Sequence, residues 1–291
     1  IKFNDVKSAI SHANPDLVIH FAAESHVDRS IDNPSNFIES NILGTFNLLE
    51  AIRGHWENLS NGRKSTFKFH HISTDEVFGS LDENGRFSET TPYAPRSPYS
   101  ATKASSDHLV DAWHHTYGLP VITTNCSNNF GPWQFPEKLI PLVITKAINN
   151  EIIPLYGDGS NVRDWLFVED HVDAILLAAK TGTIGKKYCI GGFGENSNKE
   201  VVLKICNILD KFHPKSLPYA SLIKNVEDRP GHDKRYSIDS SLIRNELKWK
   251  PNHTFESGLE KTVEWYVNNM NWCKKMLKTS GYTGSRLGTK K

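Results

Sequence analysis

The chain has 291 residues, enough for one large α/β domain or two smaller ones. Hydrophobic residues make up 38% and charged residues 23%, and the formal net charge of +1 offers no strong field to nucleic acid or an anionic membrane surface. Four widely spaced cysteines (Cys126, Cys189, Cys206, Cys273) form no CxxC pair. That pattern suits reduced thiols in a cytoplasmic setting and gives no metal signature. No apolar run is long enough to span a bilayer, and there is no signal-peptide pattern. The adjacent pairs His70-His71 and His114-His115 cannot share one helix face and read as structural or solvated.

In chain order, Val6 to Ala13 reads as the end of a helix. Leu17 to Ala23 is a short apolar run predicted to be a buried parallel strand. It ends on Ala22 and Ala23, small enough to let a dinucleotide lie against the backbone, although small packing residues would look the same. Asn33-Pro34 opens a helix reaching about Arg53, with Phe37, Ile38, Ile42, Phe46, Leu49 and Ile52 at helical spacing. The polar, glycine-containing stretch 54–66 is predicted to be a loop.

Phe67 to Ile72 has the composition of a strand and stops on Ser73-Thr74-Asp75-Glu76. In open α/β sheets ligands bind at the carboxyl ends of strands. Thr74, Asp75 and Glu76 could supply a hydrogen-bond donor, an acid and a base there, while a capped polar turn is the plainer reading. The stretch 81–96, with Gly85, Pro92 and Pro95, is long enough for a lid or rim. Ser97 and Pro98 suit the N-cap and first position of a helix running to Tyr117, ended by Gly118 and Pro120. Tyr99 and Lys103 lie four apart on one face of it. A lysine ammonium beside a phenol favours the phenolate, which predicts a lowered Tyr99 pKa and a base for an alcohol proton. Such a pair also occurs on ordinary solvated helix faces. Val121 to Cys126 is the next strand and delivers Asn128 and Asn129, whose amides can both donate and accept. Beyond it the pattern changes to short strands (Ile152–Tyr156, Val162–Phe167, Lys187–Ile190, Leu222–Val226) and helices beginning near Glu137, Val168, Asn198, Asp239 and Thr254. The last of these places Phe255, Leu259, Val263 and Tyr266 on one core face.

Ser73-Thr74-Asp75-Glu76-Val77-Phe78-Gly79 followed by Tyr99-x-x-x-Lys103 resembles the extended short-chain dehydrogenase/reductase family. The Asp75-Glu76 pair resembles its nucleotide-sugar 4,6-dehydratase branch, in particular the dTDP-glucose 4,6-dehydratases. Ala22 to Ser30, Asn128 to Pro132, Phe135 to Pro141, Tyr156 to Gly159, Val162 to Trp165 and Asp228 to Asp233 agree in order and spacing. The resemblance implies an α/β fold: a Rossmann-like doubly wound parallel sheet with a smaller C-terminal α/β substrate domain. It implies a partial NAD-binding domain over 1–128, a nucleotide-sugar-binding domain over 129–278 with the chain crossing between them, and a disordered tail over 279–291. The chain has no Gly-x-x-Gly-x-x-Gly turn, so the expectation is that the first βα unit or units are missing.

By the same resemblance NAD is the cofactor, held by Ala22, Ala23, Glu24, Ser25, Ser40, Tyr99, Lys103 and Asn129. The substrate, dTDP-glucose, would meet His26, Thr74, Asn128, Lys138, Leu139, Pro154, Tyr156, Arg163, Asn198, Arg229 and His232. Arg163 and Arg229 match a diphosphate because guanidinium forks fit phosphate oxygens, although either could be a surface ion pair; Asn198 also suits a helix N-cap. Thr74, Asp75, Glu76, Tyr99 and Lys103 would be catalytic, with Asp75 protonated as acid and Glu76 as base. The family pairs two copies through the helices at 33–53 and 97–117, which implies a homodimer. The alternatives are a nucleotide-sugar 4-epimerase of the same fold, which has no use for an acid and a base beside Thr74, or an inactive fragment that cannot hold NAD.

Overall fold

The computed structural model describes residues 2–280 and 282. Its elements run α1 (Phe3–Ala13), β1 (Leu17–His20), α2 (Val27–Asp32), α3 (Pro34–Phe37), a π-helical turn (Ile38–Leu43), α4 (Gly44–Glu57), α5 (Asn61–Thr66), β2 (Lys68–Thr74), a 3-10 turn (Asp75–Phe78), α6 (Pro98–Tyr117), β3 (Val121–Cys126) and β4 (Asn128–Phe130). Then come α7 (Leu139–Ile148), β5 (Ile153–Tyr156), β6 (Val162–Phe167), α8 (Val168–Thr181), β7 (Lys187–Ile190), β8 (Glu195–Ser197), α9 (Asn198–Phe212), β9 (Ile223–Val226), α10 (Ser241–Leu247), α11 (Phe255–Asn268) and α12 (Met270–Ser280).

The main sheet is parallel, in the order β1-β2-β3-β7. β2 lies inside it and is buried from Phe69 to Thr74, as a parallel strand covered on both faces must be. One face packs Phe69 and Val121 against Leu49 and Ile52 of α4 and Val110 of α6. The other packs Ile122, Tyr188 and Ile190 against Ala174 of α8 and Ile243 of α10. The register sets Thr74 beside Cys126 and Cys126 beside Ile190, so the strands stop together and their ends form a common rim. A second core gathers Phe130, Trp165 and Phe167 with the apolar faces of α7, α9 and α11 around the short sheets β4-β6-β8 and β5-β9. Among the described residues no helix is long and apolar enough to cross a membrane.

Several expectations need correcting. The strand expected over 17–23 ends at His20, and Leu17 and Phe21 are exposed. Its pairing explains this, because among the described residues β1 has β2 as a neighbour and nothing on its other side. The stretch 54–66 is not a loop: α4 continues to Glu57, and α5 follows. Polar helical turns carry no apolar periodicity, so residue spacing holds no sign of them. The helix expected over 33–53 is broken by the π turn, which rotates the face presented by the residues after it. Asn198 is the first residue of α9, and its N-cap is Ser197, in a capping box with Glu200. The 81–96 segment is a strapped rim rather than a free lid. Leu81 and Phe87 donate backbone hydrogen bonds to Arg235 and Ser237, Ala94 donates to Val77, and the Glu89 carboxylate accepts from the Cys189 amide. Of the expected disordered tail, 279 and 280 are helical and 281 and 283–291 lie outside the described residues.

Candidate active site

The carboxyl end of β2 turns directly into the 3-10 turn. Thr74 makes that possible by capping it: its Oγ1 accepts from the Glu76 amide at 3.2 Å. Asn125 of β3 holds the strand end by donating to the Thr74 carbonyl at 3.1 Å. Gly79 closes the turn at φ +92°, and a Cβ there would sit 2.6 Å from the Ala94 carbonyl oxygen. Glycine is therefore required where the rim segment crosses.

Asp75 and Glu76 are neighbours with different surroundings. Asp75 is buried, and its Oδ2 has no hydrogen-bond partner. Burial, then the charges of Glu76 and Asp164, push its carboxyl well above the usual range, as expected for an acid that must carry a proton. Glu76 is raised by burial as well, but Arg229, Arg163 and Lys138 pull it toward the carboxylate.

α6 begins as its sequence predicts, with Ser97 in a capping box with Ser100 and Pro98 in the first turn. Tyr99 and Lys103 are both buried on its inner face. The predicted effect of Lys103 on Tyr99 is not met. The phenol is pushed well above its ordinary value, first by burial and then by Glu76 and Cys126, with a hydrogen bond from Thr74 opposing the shift. The ammonium of Lys103 donates instead to the Ile72 carbonyl at 2.8 Å, and burial lowers its own value. Shared helical spacing put the two residues on one face, but the long lysine stem reaches the strand backbone.

A cleft opens beside Glu76. Ten of the residues assigned to the substrate line it: His26, Asn128, Lys138, Leu139, Pro154, Tyr156, Arg163, Asn198, Arg229 and His232. Thr74, the remaining one, stands behind it with Asp75. The two arginines are held differently. Arg163 is buried, donates to the Val162 and Asp233 carbonyls at 2.7 and 2.9 Å, and lies over the Tyr236 ring. Arg229 is paired with Asp28 at 2.6 Å, and Tyr156 donates to the same carboxylate at 3.2 Å. His232 is bonded to Asp228 at 2.7 Å, yet burial and the two arginines lower its pKa to about 4. Lys138 donates to the Ser25 carbonyl at 2.8 Å, and its neighbour Glu137 pairs with Arg29.

Of the residues assigned to the cofactor, Ser25 lines this cleft, and Ala22, Ala23, Glu24, Ser40, Tyr99, Lys103 and Asn129 are not among its lining residues. Ala22, Ala23 and Ser25 are exposed just beyond β1. Glu24 is pinned by Asn41 of the π turn, which accepts from its amide at 2.8 Å and donates to its carbonyl at 3.0 Å. Ser40 is half-exposed beside it. The Asn128 and Asn129 amide oxygens are buried without partners. Sequence reasoning passed over several cleft residues. Asp28 lay inside a quoted block, but nothing in a sequence pairs it with Arg229. Trp165 lay in another quoted block without a role, and Tyr236 was not singled out, although both line the cleft. Tyr282 stands at the rim, with Arg29 over its ring at 5.9 Å and Glu137 and Asp28 near its phenol.

The profile of the GDP-mannose 4,6 dehydratase family matches residues 2–262. The chain is 55% identical over 285 residues to a dTDP-glucose 4,6-dehydratase of Xanthomonas campestris pv. campestris, covering 97% of this chain and 81% of that one. It is 57% identical over 267 residues to dTDP-glucose 4,6-dehydratase 1 of Escherichia coli, covering 89% and 74%. Among solved structures, a dTDP-glucose 4,6-dehydratase from Streptomyces venezuelae with NAD bound superposes with a TM-score of 0.85 at 41% identity, covering 94% of this chain and 80% of that one. A UDP-glucose 4-epimerase from Thermus thermophilus, in complex with NAD, gives 0.82 at 26% identity, covering 92% and 83%. The fold is thus common to dehydratases and epimerases, while identity over most of both chains lies with the dehydratases, and the chain belongs to the dTDP-glucose 4,6-dehydratase group of the extended short-chain dehydrogenase/reductase family.

Proposed function

We propose that the chain converts dTDP-glucose to its 4-keto-6-deoxy form by oxidation at C4, loss of water across C5 and C6, and reduction at C6. The observation that carries this reading is the Asp75–Glu76 pair. Two adjacent carboxyls, one held protonated with a free oxygen and the other facing three cations, are what an acid and a base acting on neighbouring carbons require. Arg163, Arg229 and Lys138 in the same cleft suit the diphosphate of such a substrate.

The residues present fit a dinucleotide. The exposed Ala22 and Ala23 leave the backbone approachable, and the buried Asn129 amide oxygen lacks a partner while its nitrogen meets Cys126 Sγ at 3.4 Å at the end of β3. Ala22, Ala23, Glu24, Ser25, Ser40, Lys103 and Asn129 would hold it. NAD, when bound, supplies the acceptor for the C4 hydride and the donor to C6, and its cationic ring favours the Tyr99 phenolate. Tyr99 takes the proton of the C4 hydroxyl, and Thr74 orients that oxygen by hydrogen bonding. The ketone at C4 acidifies the C5 proton, which Glu76 removes. Asp75 gives its proton to the C6 hydroxyl, which leaves as water, and a proton returns to C5 from the carboxyl pair. The oxidation and the reduction cancel, so the net change is loss of one water.

An epimerase would need Tyr99 and Lys103 but not the carboxyl pair. The test is product analysis with dTDP-glucose and NAD. A 6-methyl product is expected, and an epimerised hexose instead would overturn the reading. Asp75→Asn is expected to keep C4 oxidation, seen as reduced-cofactor absorbance, and to lose water elimination by at least about 100-fold. Tyr99→Phe is expected to suppress the absorbance change itself. The same reading pairs two copies through the segments 33–53 and 97–117, where Ile38, Leu43 and Phe46 of the first and Tyr117 of the second are exposed.

A further inference from the structure

Behind the site, on the side away from the cleft, lies a buried polar cluster that the proposed chemistry does not use. Its centre is Asp107 of α6, fully buried one helical turn beyond Lys103. His71 Nε2 lies 3.0 Å from its Oδ1. Its Oδ2 accepts from Ser73 Oγ at 2.7 Å, from the Tyr93 hydroxyl at 2.8 Å and, more weakly, from Asn125 Nδ2 at 3.4 Å. His71 Nδ1 lies 3.1 Å from His20 Nδ1, so the chain of contacts extends to β1. Burial works against a charge on Asp107, but the contact with His71, the hydrogen bond from Ser73 and the charge of Lys103 hold its carboxyl below the usual range, and three donors converge on Oδ2, which favours a carboxylate. A buried carboxylate this well supplied is an unusual expense unless its charge is used.

The charge has a buried cation near it, Lys103, four residues earlier on the same face of α6. Lys103 is buried, its ammonium donates to the Ile72 carbonyl, and desolvation works against its proton. The groups facing it are His20 from β1, His71 from β2, Cys126 from β3 and Asp107 from its own helix. Burial keeps His20 and His71 neutral, and burial pushes Cys126 up to about 12, so it is a neutral thiol. Asp107 is then the one ionised anion in this set.

We propose that Asp107 is a positioning residue of the site. Its carboxylate keeps buried Lys103 cationic and clamps the helix bearing Tyr99 and Lys103 to the strand that ends in Thr74-Asp75-Glu76. Three of its contacts fall on β2 and β3 and one on the Tyr93 rim, so a single group fixes the helix, the strand end and the strap over them. The inference rests on the dehydratase reading only in giving Lys103 a task.

The test follows the Lys103 Cε signal by NMR titration of lysine-labelled protein, assigned with Lys103→Arg. In Asp107→Asn the Lys103 midpoint is expected to fall by at least about one pH unit relative to the parent. An unchanged midpoint overturns the proposal. Tyr93→Phe removes a hydrogen bond and leaves the charge, so it is expected to lower the melting temperature and leave the Lys103 midpoint in place. A shift as large as that of Asp107→Asn would show that packing, not charge, governs Lys103, and would also overturn it. If Asp107→Asn does not fold, the parent protein decides: the Asp107 Cγ signal is expected to stay ionised below the ordinary aspartate value of 3.8, and protonation at or above that value overturns the proposal. None of these readouts needs substrate or cofactor. A chain with these titrations and no 6-deoxy product overturns the proposed activity alone. A chain that makes the product while Lys103 ignores Asp107 overturns this inference alone.

Discussion

At the scale of single residues, surroundings decide what identical groups do. Asp75 and Glu76 are one bond apart in the chain, yet one is sealed against the sheet and the other looks at three cations. Arg163 and Arg229 share a cleft, but Arg163 leans on carbonyls and an aromatic ring while Arg229 is matched to Asp28. Asp28→Ala would strand a largely desolvated guanidinium and remove the carboxylate to which Tyr156 donates. The expected cost is about 3 kcal/mol in urea unfolding, and saturating substrate diphosphate should recover part of it by supplying a new anion. An unfolding curve that matches the parent would show that the pair contributes little. The sequence revealed the residue types of this site because the strand-end cluster and the Tyr99–Lys103 spacing are local. It did not reveal the direction of the Lys103 stem or the partner of Arg229, since both depend on segments far away in the chain.

At the scale of elements, the main sheet is stapled by buried histidines. His20 and His70 sit on β1 and β2, and His171 on α8 faces His70. Burial lowers their pKa values to about 2, about 3 and about 4, against 6.5 when free. The unfolded chain therefore binds protons that the folded one refuses. Their contribution to stability is complete above pH 6.5 and is lost as pH falls from there toward the folded values, by up to about 1.4 kcal/mol per histidine per unit. Urea unfolding between pH 7.5 and 5 should show that decline, and His171→Asn should make it shallower by about one proton. Buried carboxyls such as Asp164, raised to about 6, bind protons on folding in the same window and oppose the decline, so the difference between parent and variant is decisive: equal slopes would contradict the burial of His171. Capped and apolar elements were legible: the Ser97-Pro98 start and Gly118 end of α6 fall where the sequence puts them, with Gly118 at φ +73°. The π turn and α5 were not, because nothing in residue spacing separates a π turn from an α-helix and α5 buries no side chain.

At the scale of the whole molecule, the proposed pairing of two copies rests on exposed apolar groups next to the site. Phe46→Glu should convert a dimer to a monomer in sedimentation equilibrium while leaving the far-ultraviolet spectrum intact. A parent that sediments as a monomer would end that part of the reading. The strands of the main sheet were readable as short β-rich runs bounded by turn residues, but their doubly wound arrangement was implied by the family resemblance, because runs of four to seven residues such as β1 and β2 do not reveal their pairing order. The second half was readable only as a change of texture, since three- and four-residue strands such as β4 and β8 leave little pattern.

One feature of the topology bears on how such a chain comes into being. β7, at Lys187–Ile190, is the outer neighbour of β3, and Ile243 of α10 covers that corner of the sheet. In chain order α4 and α6 precede β3, so one face of β1, β2 and β3 can close before the other, which waits for α8, β7 and α10. The rim formed by the strand ends is therefore completed only once β7 and α10 are in place, and until then β3 keeps an unpaired edge and an uncovered apolar face.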